Sequence, residues 1–140
     1  MCGRRGFTLT ELMIVIALIG VLLAVTIPKM TSMIRNANEA STKGKLSSIR
    51  LALSVYYADH DGAYPADLSP LMEPGSRYLT AMVPLYTVQH GYLRQVDVLP
   101  AFDPAADSGN WGYVSSGSDW GRVWVECTHA DGRGTTWTSY

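Results

Sequence analysis

Residues 12–27 read LMIVIALIGVLLAVTI, sixteen positions with no charge and a single hydroxyl, and this run constrains the chain more than any other feature. As an α-helix it extends about 24 Å at 1.5 Å per residue, and residues 7–27 extend about 32 Å. The hydrocarbon core of a bilayer is roughly 30 Å thick, so the longer segment fits if Thr8, Thr10 and Glu11 enter or border it. A chain of 140 residues has room for one modest domain besides such a helix. The hydrophobic share of 47 % therefore averages two unlike parts, an apolar N-terminal rod and a remainder polar enough for water.

Three readings of the N-terminal segment compete. A secretory signal peptide has a basic head and an apolar core, but Pro28-Lys29-Met30 is no small-residue cleavage site. A twin-arginine signal asks only for Arg4-Arg5 before an apolar stretch, a pattern that chance supplies often. The third reading is a membrane anchor, with Arg4 and Arg5 favouring a cytoplasmic N-terminus and Lys29 and Arg35 weakening that bias without reversing it. Glu11 separates them. A carboxylate costs about 2.5–3.5 kcal/mol at mid-membrane, less toward the end of the span, and a signal peptide has no use for it. Either Glu11 snorkels to the headgroups, or it awaits a positive partner that cutting or assembly supplies.

The string Gly6-Phe7-Thr8-Leu9-Thr10-Glu11-Leu12-Met13-Ile14-Val15 resembles the processing and methylation motif of type IV prepilins and type II secretion pseudopilins. The resemblance implies that a membrane peptidase cuts after Gly6 and methylates the new amino terminus at Phe7. It also implies that Glu11 pairs with the amino terminus of a neighbouring subunit and that Pro28 distorts the helix. Thr10 departs from the pattern, since an aliphatic residue is more usual there. Physical chemistry agrees with the implied device: the cut creates a cationic α-amino group over much of the physiological range. Pairing it with Glu11 neutralises two charges that are costly in an apolar filament core. Desolvation offsets most of that attraction, so its role is register rather than stability.

Pro28 removes a backbone donor and crowds the carbonyl of Ala24, which kinks or weakens a helix. Beyond it, Leu46, Ile49, Leu53 and Tyr56 form an amphipathic stripe at helical spacing. Gly44 costs about 1 kcal/mol relative to Ala in such a helix, and Gly62 stands as its C-terminal cap. Residues 56–65, YYADHDGAYP, resemble the same family's helix exit. One short helical turn is expected at residues 67–72, and the prolines at 65, 70, 74, 84, 100 and 104 predict an irregular path. Residues 111–115 and 122–127 read as an antiparallel strand pair joined by the turn at 116–119, with 135–137 a further strand. The expected fold is α+β: a long N-terminal helix, membrane-embedded in its first half and amphipathic in its second, packed on a small C-terminal antiparallel sheet. The expected divisions are a leader at 1–6, a filament-core or transmembrane helix at 7–28, an amphipathic helix at 29–62 and a head at 63–140.

Net charge is −1, and loss of Arg4 and Arg5 with the leader leaves 9 − 12 = −3, so nothing points to nucleic acid. Cys2 leaves with the leader, and Cys127 reads as a small strand residue without a disulfide partner. Asp59-His60-Asp61 mixes acids with imidazole but falls at a helix end, where exposed polar residues are expected. Cys127 and His129 share a strand face with Asp131 nearby, yet a zinc site needs four ligands and no second pair is evident in the sequence. The family resemblance implies calcium in a loop between the C-terminal strands, with Asp103, Asp107, Ser108 and Asp119 as candidate oxygen donors. The same residue types also serve turns for conformational reasons, and both readings stand here. No nucleophile–base pair, phosphate loop or H-E-x-x-H string occurs, so an enzyme is not expected.

The resemblance implies a structural subunit of a type IV pilus-like filament, held first in the inner membrane with its N-terminus cytoplasmic. Its partners would then be copies of itself, related minor pilins, the prepilin peptidase and an inner-membrane assembly platform. A type II secretion pseudopilin in a periplasmic filament is the alternative within the family. A single-pass anchor carrying a ligand-binding head, without polymerisation, is the alternative from another class, and it has no need of Glu11.

Overall fold

The computed structural model describes residues 6–140, so Arg4, Arg5 and Cys2 lie outside the described residues. The chain divides into two compact units, Met1–Arg35 and Asn36–Tyr140, and helix α1 (Leu9–Asp59) belongs to both.

In the first unit every described side chain is exposed, including Leu12, Ile16, Leu23 and Ile27. Helix α1 carries Pro28 in its interior and stays helical on both sides of it. Three hydroxyls in this unit bond back to the helix: Thr26 donates to the Leu22 carbonyl at 2.8 Å, Thr31 to that of Ile27 at 3.2 Å and Ser32 to that of Lys29 at 2.8 Å. Their polarity is thereby spent inside the helix, which fits an apolar surrounding. By length and composition α1 is able to cross a membrane.

In the second unit the expected stripe faces a core. Leu46, Ile49 and Leu53 are buried and Tyr56 packs beside them. The Gly62 N–H donates to the Tyr57 carbonyl at 3.0 Å and closes the helix end, as its position in the sequence predicts. A 3₁₀ turn at Ser69–Met72 occupies the expected place and buries Leu71.

Strands β1 (Leu85–Thr87) and β2 (Gly91–Leu93) form an antiparallel hairpin. A second sheet holds β3 (Val96–Leu99), β4 (Trp111–Val114) and β5 (Val123–Val125) in that order. The pair β4–β5 is antiparallel in the expected place, with Trp111 opposite Val125 and Tyr113 opposite Val123. Two corrections follow. The sheet is mixed rather than purely antiparallel, because β3 runs parallel to β4. Residues 135–137 form no third strand: Thr136 makes one isolated bridge to Ala130, and Trp137–Ser139 is a 3₁₀ turn.

Both faces of β4 and β5 are buried. Trp111, Tyr113, Val123 and Val125 join the cluster that includes Leu46, Ile49 and Leu53. Other contacts bury Trp124: it lies over Gly112, where an added Cβ would meet its ring at 2.3 Å, and Phe102 meets it edge-on at 5.0 Å. Phe102 belongs to the 100–110 connection. A parallel pair requires such a return crossing, and here it carries Asp103, Asp107 and Ser108 past the sheet.

Candidate functional site

Two regions carry residues singled out by the sequence: the start of α1 and the surface of the head.

At the start of α1, Thr8 and Glu11 cap each other. The Thr8 N–H donates to Glu11 Oε2 at 2.9 Å, the Thr8 hydroxyl to the same oxygen at 2.8 Å, and the Glu11 N–H to Thr8 Oγ1 at 3.2 Å. This is a capping box, and Thr8-x-x-Glu11 is its sequence signature. Glu11 thus has a local role: it satisfies helix donors that would otherwise be orphaned in the first turn of α1. Gly6 and Phe7 precede the helix, and both are exposed. Around and beyond them, Leu9, Met13, Val21 and Val25 leave more than half of their surface uncovered. The unit therefore presents an apolar surface that its own residues do not bury.

In the head, the Asp59-His60-Asp61 string serves structure. Asp59 pairs with Arg77 and accepts from the Tyr78 hydroxyl at 2.9 Å, while the His60 ring stacks on Tyr56 at 3.8 Å. Asp131 turns toward the helix. It pairs with Lys43, accepts from the Tyr140 hydroxyl at 2.8 Å, and takes the N–H groups of Arg133 and Thr135 at 2.9 Å each. Burial pushes its carboxyl up, but Lys43 and these donors outweigh burial and hold it well below the usual carboxylate range. The Gly132 N–H adds a bond to Glu39 Oε2 at 2.8 Å, so the C-terminal loop is tied to α1 at two points.

The four expected calcium donors have different partners. Asp103 caps its own turn through the Ala105 N–H at 2.9 Å, and Asp119 faces Arg122 at 3.8 Å. Ser108 Oγ lies 2.9 Å from Asp97 Oδ2 and 2.6 Å from Glu126 Oε2. Glu126 is 2 % exposed. Burial, with the neighbouring Asp97 charge, raises its carboxyl to about 7 against the lowering effect of Ser108. Asp107 goes elsewhere, to His90 and His129. Calcium wants six to eight oxygens around one point, and each of these four residues is engaged by the protein partners just named.

The residues that do converge are His90, Asp107, Cys127 and His129, whose ligand-type atoms all lie within 4.8 Å of one another. Asp107 Oδ1 is 3.2 Å from His90 Nε2 and 3.4 Å from His129 Nδ1, and Cys127 Sγ is 3.7 Å from His129 Nδ1. Sequence spacing exposes only the Cys127–His129 half of this group. His90 arrives from the β1–β2 turn and Asp107 from the return crossing.

Residues 1–27 match the family described as the prokaryotic N-terminal methylation motif. Type II secretion system core protein G of Pseudomonas aeruginosa is 31 % identical over 101 residues, covering 72 % of this chain and 70 % of the relative. The ComG operon protein 3 homolog of Bacillus licheniformis is 33 % identical over 63 residues, 45 % of this chain and 65 % of the relative. The type IV major pilin protein PilA of Myxococcus xanthus is 33 % identical over 77 residues, 54 % of this chain and 35 % of the relative. The chain thus spans just under two thirds of the Bacillus protein and about a third of the Myxococcus one. No solved structure matches. With the prepilin motif on an exposed apolar helix and a small α+β head, these similarities place the chain in the superfamily of type IV pilins and type II secretion pseudopilins, structural proteins rather than enzymes.

Proposed function

We propose that the chain is a filament subunit, made as a membrane-held precursor, cut after Gly6, methylated on Phe7 and polymerised through the apolar part of α1. One observation carries this reading: every described residue up to Ala37 is exposed, although the segment 12–27 is uncharged and almost wholly apolar. Uncovered apolar area is worth about 25 cal/mol per Å² when removed from water, so this surface belongs in lipid or against other subunits. The prepilin motif supplies the passage between the two, because the cut discards Arg4 and Arg5, which cannot enter a dry core. The precursor sits in the inner membrane with its N-terminus cytoplasmic, and the product in a surface pilus or periplasmic filament. Copies of itself, related minor pilins, a prepilin peptidase and an inner-membrane assembly platform are the partners this reading requires.

A second reading, a pseudopilin of a type II secretion system, is favoured by one observation. The match to the Pseudomonas secretion protein covers 72 % of this chain, whereas that to the Myxococcus pilin covers 54 %. Both readings predict the same intact mass for protein extracted from membranes: loss of residues 1–6 and one added methyl on Phe7. An unprocessed N-terminus, or a cut beyond Ile27, overturns them. Surface fibres seen by electron microscopy then support the pilus reading, and their absence from cells that secrete normally supports the pseudopilin one.

A further inference from the structure

We propose that the head binds a zinc-class divalent metal ion through His90 Nε2, His129 Nδ1, Asp107 Oδ1 and Cys127 Sγ. The donor set is of the kind zinc takes, nitrogen, sulfur and carboxylate oxygen in a group of four. Three of the six spacings match a tetrahedral site as they stand, and the remaining ones lie within 4.8 Å. Tetrahedral bonds of about 2.0–2.1 Å to nitrogen and oxygen place those ligands roughly 3.3 Å apart, and a bond of about 2.3 Å to sulfur places sulfur roughly 3.6 Å from nitrogen. The structure has 3.2 Å and 3.4 Å between Asp107 Oδ1 and the two imidazoles, and 3.7 Å between Cys127 Sγ and His129 Nδ1.

The supporting contacts hold the donors in place. The Thr128 N–H donates to Asp107 Oδ1 at 2.9 Å, and the Thr138 N–H and Trp137 N–H anchor the carbonyls of Cys127 and His129 at 3.2 Å each. Gly109 lies against the His90 ring so closely that a Cβ would meet its Cγ at 2.4 Å, and its φ of +78° is one that L side chains rarely adopt. Only glycine leaves the imidazole this position. Cys127 is fully buried, while Asp107 and His129 are more open, so an ion can enter from the solvent side. On binding, the Cys127 thiol gives its proton to solvent and no redox change occurs. The ion would tie the β1–β2 turn, the return crossing and the segment after β5 into one unit. A soft sulfur donor and two imidazoles select zinc, cobalt or a similar ion over calcium.

The test uses the full-length chain without a polyhistidine tag, in detergent micelles, with Cys2→Ser to remove the other thiol. Cobalt(II) added to the stripped protein is expected to give intense visible bands of tetrahedral coordination and a near-ultraviolet thiolate band. Zinc should displace it at one equivalent and raise the melting temperature of the head. His129→Gln and Cys127→Ala are expected to weaken binding at least as much as the roughly 10–100-fold that loss of an outer-shell partner costs. Tryptophan emission confirms that each variant retains its head fold. Because His129 is partly exposed, His129→Gln keeps the test open if Cys127→Ala does not fold. Absence of stoichiometric zinc or cobalt, equal binding by a folded variant, or stabilisation by calcium but not by zinc overturns the proposal. None of these outcomes bears on cleavage after Gly6.

Discussion

Replacing Lys43 by Met separates the electrostatic tie between α1 and the C-terminal loop from simple packing. Methionine keeps most of the stem and removes the ammonium group. Asp131, whose side chain is fully buried, then loses its counter-charge and keeps the Tyr140 hydroxyl and the N–H groups of Arg133 and Thr135. Breaking a buried pair on one side costs about 3–5 kcal/mol. The Lys43 side chain is a quarter exposed and three donors to Asp131 survive, so the expected loss is smaller, about 2–3 kcal/mol. All four tryptophans lie at or beyond position 111, so urea unfolding of the micelle-bound chain followed by tryptophan emission reports on the head alone. Adding Asp131→Asn to Lys43→Met removes the orphaned charge and keeps an acceptor for Arg133 and Thr135. The double variant should regain at least about 1 kcal/mol over Lys43→Met. A loss under about 0.5 kcal/mol in Lys43→Met, or strict additivity in the double variant, refutes the reasoning.

Gly112→Ala drives a Cβ to 2.3 Å from the Trp124 ring and should cost about 1–3 kcal/mol in the same urea assay, with altered near-ultraviolet dichroism; an unchanged midpoint contradicts the stacking of Trp124 on β4. Thr8→Val removes the capping hydroxyl and should lower the stability of the first helical turn by about 1 kcal/mol, read as faster amide exchange at Leu12, whose N–H meets the Thr8 carbonyl at 3.2 Å. Undiminished protection there would show that Glu11 is held by something else.

Much of this architecture is legible in the residues. The uncharged run at 12–27 shows by its length, the stripe Leu46-Ile49-Leu53 by its helical spacing, and β4 and β5 by their aromatic and β-branched residues. The hairpin β1–β2 and the strand β3 do not. They are three or four residues long and lie between Pro84 and Pro100, where proline argues for irregular chain. The parallel pairing of β3 with β4 is a tertiary fact with no local signal. The same holds for the four-donor group: Cys127 and His129 are visible as a pair, but His90 and Asp107 come from a turn and a crossing that only the fold brings together. Glu11 is the opposite case. Thr8-x-x-Glu11 is the sequence signature of a capping box, a local signal that needs no tertiary contact to be seen.

That double role makes Glu11→Ala the most informative substitution in the chain. Glu11→Ala removes both the cap and the proposed partner of the Phe7 amine, whereas Thr8→Val weakens the cap and leaves the carboxylate. The measurement is the amount of each mature variant recovered in sheared filaments, relative to its amount in the membrane. If an unpaired amine in the filament core costs only 1.4 kcal/mol per subunit, incorporation of Glu11→Ala falls about tenfold while Thr8→Val assembles nearly as wild type. Normal incorporation of Glu11→Ala, or an equal loss in both variants, contradicts the claim that the carboxylate sets the register of assembly.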